Sequence, residues 1–274
     1  MNLILGERGE IGSKIVEYLS TNHLKLIDKS KVREWIIGGE KVIRKDLLDY
    51  GPEDSSLTNI FYCVGNTNPN ASEDSLLTLN FQLPQSILKA TVGLPFRLVT
   101  FGSVHENSEI RNPYMCSKRK FHEFILDQGT DYNWNHFHLH TLYSENLPKP
   151  HMFLGQMLEA IRANRKFRMS SGNQLRQFHH TFDVVKAVIS STPRIERNSV
   201  IQFEGGDSIR LIDLATKVFS QVGTLENLEV GALEDQANEI YNNSYPVPES
   251  LSTNEFRNPL VEIPKLVSDI WLKK

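Results

Sequence analysis

Gly6-Glu7-Arg8-Gly9-Glu10-Ile11-Gly12 places three glycines at Gly-x-x-Gly-x-x-Gly spacing, directly between the strand-like run Asn2–Leu5 and a helix-like run that begins near Ile11. Glycine allows the tight turn and lets the backbone approach a pyrophosphate. The N–H groups that open the following helix attract that pyrophosphate's negative charge. Asp28 ends the next strand-like run, where a carboxylate can accept hydrogen bonds from an adenosine ribose and repel a 2′-phosphate. That favours NAD. Arg8 inside the turn, with Lys29, Lys31 and Arg33 after Asp28, offers the opposite chemistry, a cationic grip on the 2′-phosphate of NADP. Both coenzymes stay open.

A second group could move a proton. Tyr114 and Lys118 stand at i and i+4 of a helix-like run and so share one face. A cation beside the phenol is expected to lower its pKa and suit it to proton exchange with a carbonyl or alcohol near neutral pH. Ser103 follows the run Leu98-Val99-Thr100-Phe101-Gly102, and a hydroxyl at the tip of such a strand faces the same crevice as the glycine turn. It could hydrogen-bond the reacting oxygen. Histidines are a third candidate. His136, His138 and His140 alternate, so on a strand they share a face, and His179-His180 adds two more. No cysteine or acidic ligand accompanies them in the sequence, so a packing role is preferred and no metal is expected.

The elements that must position these residues follow a simple pattern. Strand-like runs at Asn2–Leu5, Leu24–Ile27, Lys41–Ile43, Ile60–Val64, Arg97–Phe101 and His136–Leu142 alternate with helical spacings such as Leu76, Leu79, Leu83 and Ile87. This predicts an α/β, Rossmann-type doubly wound parallel sheet with a smaller C-terminal part. After Pro148 and Pro150 the alternation is lost. Met152–Asn164 reads as a helix whose Met152, Leu154, Met157, Leu158 and Ile161 form a packing face, and His179–Phe182 and Ser199–Phe203 are expected to rejoin the sheet. Ile209–Val222, a loop at Asn242–Pro248 and a helix over Pro259–Leu272 complete the second part. The expected division is 1–147 with 179–203 for the coenzyme, and 148–178 with 204–274 for the substrate.

Composition narrows the partners. In 274 residues, Lys+Arg 30 against Asp+Glu 33 gives −3, which disfavours nucleic acid. A strand-like run at the very start argues against a signal peptide, and nothing approaches the apolar length of a membrane span, so a cytoplasmic protein is expected. Cys63 and Cys116 stand in no metal-ligand spacing and are expected to be reduced.

The glycine turn, Asp28, Asp46-Leu47, Cys63-Val64-Gly65, Asn80, Ser103 and Asn112-Pro113-Tyr114-Met115-Cys116-Ser117-Lys118 occur in the order found in extended short-chain dehydrogenases/reductases. The chain resembles their nucleotide-sugar epimerase, dehydratase and reductase branch. The segment Gly172-Asn173-Gln174-Leu175-Arg176-Gln177-Phe178-His179-His180, followed by Asp183-Val184-Val185, extends the resemblance over nearly the whole chain. It implies that Gly6, Arg8, Gly9, Ile11 and Gly12 bind the pyrophosphate and Asp28 the ribose, and that Asp46 and Leu47 lie at the adenine. It also implies that Cys63, Val64, Gly65, Asn80, Leu142, Tyr114 and Lys118 surround the nicotinamide end. Asn66, Ser103, His105, Thr141, Arg176 and His180 would face the sugar nucleotide, with Arg176 on its diphosphate. A homodimer through the helices near Leu76–Ala90 and Tyr114–Leu126 is implied as well.

The departures matter too. Dehydratases of this branch carry Asp-Glu directly after the hydroxyl residue, whereas Val104-His105 stands here. His105 falls where fucose synthase-like epimerase-reductases have a ring-directed cysteine, so an acid/base role or simple orientation of a sugar hydroxyl is open to it. Glu106-Asn107-Ser108 replaces Val-Tyr-Gly, Thr141 stands where Asn is common, and Gln177 replaces Asp. The expected function is NAD(P)-dependent reduction of a nucleotide-linked 4-keto-sugar. The alternatives are a 4-epimerase with tightly held NAD and a non-catalytic dinucleotide or sugar-nucleotide sensor.

Overall fold

The computed structural model describes residues 1–19, 24–51, 56–68, 70–106, 112–204, 208–235, 249–252 and 255–273. Asn107, Ser108 and the Asn242–Pro248 loop lie outside the described residues. In chain order the elements are β1 (Asn2–Leu5), α1 (Glu10–Leu19), β2 (Leu24–Ile27), α2 (Lys29–Tyr50), β3 (Thr58–Tyr62) and α3 (Glu73–Leu77). A π-helical turn (Thr78–Gln82) leads into α4 (Leu83–Ala90), followed by β4 (Phe96–Ser103), α5 (Pro113–Leu126) and β5 (Trp134–Leu139). Then come β6 (Thr141–Tyr143), α6 (Phe153–Arg162), β7 (Phe167–Met169), β8 (Leu175–Arg176), β9 (Phe178–His180), α7 (Thr181–Ser191) and β10 (Ser199–Glu204). The remainder is β11 (Ile209–Arg210), α8 (Leu211–Gln221), β12 (Leu228–Val230), β13 (Glu249–Ser252) and α9 (Pro259–Asp269).

Seven strands form the main sheet in the order β13-β10-β5-β4-β3-β1-β2, and the pairings from β10 through to β2 are parallel. This is the expected Rossmann-type sheet. Its central strands β3, β4 and β5 are largely buried on both faces, as parallel sheets require. Leu3, Leu5, Ile60, Leu98, Ile87 and Trp35 belong to one continuous core.

The chain divides into two compact units, Met1–Leu139 with Val185–Phe203 and Val247–Leu251, and His140–Val184 with Glu204–Pro246 and Ser252–Lys274. The second unit has its own core, in which Trp271, Phe219, Met157 and Ile263 are buried. Small two-stranded sheets, β11-β8, β12-β7 and β6-β9, support it.

The structure corrects three local expectations. Lys41–Ile43 is not a strand but part of α2. Ile43 and Leu47, four apart, are both fully buried while Lys45 between them is exposed, so the pattern has helical period. Arg44 strengthens it by donating to the carbonyls of Ala90 and Val92 at 2.9 and 2.7 Å, completing acceptors at the C-terminus of α4. Second, the run His136–Leu142 is two strands. β5 ends at Leu139, and β6 pairs with β9 outside the main sheet. Third, His179–Phe182 does not return to the main sheet. It splits between β9 and the start of α7, while Ser199–Phe203 does return, within β10.

Gly39 interrupts α2 with φ 59° and ψ −155°, backbone angles essentially restricted to glycine. A Cβ there would meet nothing within 4 Å, so the only obstacle to a side chain is the backbone itself. Gly39→Ala is therefore expected to destabilise the protein by about 1–3 kcal/mol in urea denaturation. An unbroken helix would instead gain about 0.4–1 kcal/mol from the same change, so a stabilised variant would show that the break is absent in solution.

Candidate active site

The glycine turn is built by backbone crowding. Gly6 has φ 87°, and a Cβ on it would lie 2.7 Å from the Cys63 carbonyl oxygen. A Cβ on Gly12 would lie 2.1 Å from the Gly6 carbonyl oxygen, and the Gly9 N–H donates to that same oxygen at 2.9 Å. Gly6 and Gly12 thus exclude side chains, a Cβ on Gly9 would be tight at 3.2 Å from the Gly6 carbonyl oxygen, and the turn lies against Cys63-Val64 at the end of β3. Ile11 is half-buried at the start of α1, while Arg8 is almost fully exposed and, among the described residues, paired with Glu7 at 3.4 Å.

Asp28 is exposed and caps α2, accepting from the Lys31 N–H at 2.9 Å and from the Ser30 hydroxyl. The Ser30 and Lys31 hydrogen bonds hold its carboxyl below the usual range. Lys31 in turn pairs with Glu34 at 2.6 Å and Asp46 at 3.4 Å. Asp46 and Leu47, expected at the adenine, lie on α2 rather than after a strand. Asp46 accepts from the Trp35 indole N–H at 2.7 Å, and Leu47 is fully buried in the core.

Asn80 joins the next pieces. It is buried on the π-helical turn, a kind of distortion frequent at functional sites. Its side chain accepts from the Asn66 N–H at 3.1 Å and donates to the Asn66 carbonyl and the Ser117 hydroxyl, both at 3.0 Å. Ser117 donates to the Tyr114 carbonyl at 2.7 Å. The loop after β3 is thereby tied to α5. Asn66 directs its own side chain to Ser75 and the Asn68 N–H, within that loop.

Helix α5 starts where its sequence dictates. Asn112 caps it by accepting from the Met115 N–H at 2.8 Å, and Pro113 occupies the first turn. Tyr114 and Lys118 then project from one face, both half-buried. The Lys118 ammonium donates to the Phe101 carbonyl at 2.8 Å, which brings the pair to the end of β4 beside Ser103. The Ser103 hydroxyl accepts from the His105 N–H at 3.2 Å, leaving its own proton free to donate. His105 itself is half-buried. One expectation is reversed. Burial, reinforced by the negative charge of Glu106, pushes the Tyr114 phenol up to about 12, and burial lowers Lys118. Desolvation outweighs any help from the lysine, whose ammonium is engaged by a backbone carbonyl.

Beneath Ser103 lies a group that the sequence reading did not assemble. Glu106 is fully buried, and one carboxylate oxygen accepts from the Ser103 N–H at 2.9 Å. Its other oxygen faces His136 at 3.0 Å, His138 at 3.3 Å and His122 at 3.6 Å. Burial alone would raise the carboxyl, but the imidazoles of His136 and His138 outweigh it and hold Glu106 well below its ordinary value. Burial lowers His136, and pushes His122 to about 4, so these two rings are neutral at pH 7. An acidic partner does therefore accompany the alternating histidines. His140 is not in the group; its ring meets His179 instead. The available signal was His122, which continues the i, i+4 stripe of Tyr114 and Lys118.

In the second unit, Thr141 and Leu142 lie on β6 and pair with Phe178 and His179. Arg176 is half-buried on β8 and donates to the Leu175 carbonyl at 2.9 Å. Gly172, with φ 70°, precedes it where a Cβ would lie 2.5 Å from Met169 and 2.8 Å from Ile212. His180 is buried between Glu145 at 3.3 Å and Arg257 at 2.8 Å, and Arg257 also pairs with Asp183 at 3.5 Å. Sequence reading missed Arg257 because no motif contains it.

Comparison with known proteins agrees with this architecture. Residues 2–200 match the NAD dependent epimerase/dehydratase family. No curated protein matches the chain. Among solved structures, a dTDP-glucose 4,6-dehydratase double mutant from Streptomyces venezuelae with NAD bound aligns at TM-score 0.71 and 13% identity, over 98% of this chain and 97% of its own. A GDP-mannoheptose C4 reductase from Campylobacter jejuni with NADP bound gives 0.69 and 15%, over 100% and 98%. A UDP-N-acetylglucosamine 4-epimerase from Methanobrevibacter ruminantium gives 0.68 and 15%, over 98% and 96%. At such identities the likeness is one of fold. The family match, however, runs from the first strand through the glycine turn and Tyr114 to the start of β10, and this chain belongs to the NAD-dependent epimerase/dehydratase family.

Proposed function

We propose that this protein is an NAD(P)-dependent reductase of a nucleoside-diphosphate 4-keto-sugar. The observation that carries the reading is the Lys118 contact with the Phe101 carbonyl, which holds the Tyr114/Lys118 face against the strand end bearing Ser103, in the same unit as the glycine turn. The turn fits a dinucleotide because its three glycines leave only backbone at its surface, at the start of α1. Arg8, exposed and, among the described residues, held by Glu7, is free to swing to a 2′-phosphate, whereas Lys31 is already engaged by two carboxylates.

The bound coenzyme supplies hydride to the keto carbon. Tyr114 donates its proton to the developing alkoxide, and the Ser103 hydroxyl donates a hydrogen bond to the same oxygen. Lys118 retains N–H donors beyond the one given to Phe101, which can hold the coenzyme ribose. The Tyr114 phenol, raised by burial, is protonated at neutral pH and so able to donate. An epimerase would use the same residue in both directions. Val104, buried directly after Ser103, offers no acid/base group for a dehydration. In the second unit, the Arg176 guanidinium would supply a two-pronged contact for the diphosphate.

Tyr114→Phe should remove nearly all turnover and leave coenzyme affinity within a few-fold, because general acid catalysis contributes on the order of 100- to 10,000-fold. Retention of more than about a tenth of kcat would exclude the donor role. Coenzyme released on anaerobic denaturation, paired with a screen of nucleotide-linked 4-keto-sugars for NAD(P)H consumption, separates reductase from epimerase.

Arg176→Ala should raise KM for the sugar nucleotide about 30- to 1,000-fold, roughly 2–4 kcal/mol, with a smaller effect on coenzyme. Arg176→Lys should recover only part of that. A KM change within about two-fold would leave a general carbonyl reductase. The proposed homodimer is checked by light scattering, and a monomer at micromolar concentration would remove it.

A further inference from the structure

The interior beneath β4 gathers four metal-ligating side chains from three elements. Glu106 comes from the turn after β4, His122 from α5, and His136 and His138 from alternate positions of β5. All four are buried, and their ligand atoms lie within 4.8 Å of one another. The separations are 3.0, 3.3 and 3.6 Å from a Glu106 Oε2 to His136 Nε2, His138 Nε2 and His122 Nδ1, and 3.2 Å between His138 Nε2 and His122 Nδ1. Four ligands at the usual zinc–nitrogen and zinc–oxygen distances occupy the corners of a tetrahedron with edges of about 3.3 Å. These four of the six separations bracket that edge, and the other two lie within 4.8 Å.

Two further observations point the same way. The other ring nitrogen of His136, Nδ1, lies 2.7 Å from the Thr100 hydroxyl, which is 3.5 Å from the Asn135 carbonyl. The Thr100 hydroxyl can donate to Nδ1 while Nε2–H donates to Glu106, or, turned to the Asn135 carbonyl, it can accept from Nδ1–H and free Nε2 to bind an ion. Thr100 then plays the part usual for an outer partner of a metal-bound histidine, fixing its tautomer and ring orientation. The cluster also packs directly against the β4 backbone: a Cβ on Gly102 would lie 2.3 Å from His136 Nε2 and 2.5 Å from Glu106 Oε1, so only a glycine at this position admits these ligand atoms.

We propose that Glu106, His122, His136 and His138 form a closed site for a divalent ion of the zinc class. With four protein ligands and no exposed position, it is structural. Its effect on the active site is positional. The ion fixes Glu106, which receives the Ser103 N–H on its carboxylate and the Arg119 guanidinium on its backbone carbonyl at 2.7 Å. The turn carrying Ser103 is thereby anchored to α5 and β5. The site depends on neither the coenzyme nor the sugar, so it stands or falls separately from the proposed reaction.

The test uses the full chain without a histidine tag. Elemental analysis after gel filtration should find about one zinc per chain. Protein stripped with a chelator should take up one Co²⁺ with the strong visible absorption of a tetrahedral site, and added zinc should raise its Tm. Glu106→Gln and His122→Gln should each weaken uptake by on the order of 100-fold or more, since changes to outer partners alone typically cost 10- to 100-fold. His151→Gln, an exposed histidine outside the cluster, should change nothing. If the cluster variants fail to fold, X-ray absorption of the wild-type zinc or cobalt form must still show a shell of three imidazoles and one oxygen. Stripped wild-type protein that takes up neither metal would overturn the proposal, as would uptake that the cluster substitutions leave unchanged or a shell of other composition.

Discussion

A backbone carbonyl leaves no room for a side chain at Gly6, and the first unit is arranged around that approach. β1 and β3 run parallel with Leu5 opposite Tyr62, and the Cys63 N–H continues the ladder to the Leu5 carbonyl at 2.9 Å. The two chains therefore leave the sheet at the same height and can touch there only if one is glycine. β4 follows in register, with Thr100 opposite Tyr62. Parallel pairing thus delivers the glycine turn, the Cys63–Gly65 loop and Ser103 to one edge, although long stretches of chain separate them. Ligand sites of open α/β sheets form at this edge for that reason.

The sheet edge supplies backbone; α5 supplies the proton chemistry. Its placement is overdetermined by Asn80 on Ser117, Lys118 on the Phe101 carbonyl and Arg119 on the Glu106 carbonyl. Each bond alone is modest, about 1 kcal/mol. Together they allow α5 one rotation and one height against β4. The stripe Tyr114, Lys118, His122 then descends from the site surface into the interior, where its last member meets Glu106 and β5.

That interior cluster is costly to bury, because a carboxylate removed from water is tolerated only with partners that satisfy it. β5 carries its histidines on a strand buried on both faces, so they cannot turn to solvent. Burial raises the Tyr114 phenol, and the negative charge of Glu106 adds to the rise, so the interior carboxylate is felt at the reacting surface.

Much of this was legible before folding was considered. The sequence by itself determined the glycine turn, the shared face of Tyr114 and Lys118, and the parallel sheet, because each follows from local backbone limits or from the period of apolar residues. Tertiary structure alone decided that 41–43 is helical, since Arg44 finds its acceptors on α4 and Asp46 its donor on Trp35. It alone ended β5 at Leu139 and so separated His140 from His136 and His138. It also united those two histidines with Glu106 and His122. Periodicity tells which way a side chain points, but not what stands opposite it, and the opposing groups here come from a turn and a helix whose distance from β5 is set by the packing of the whole unit.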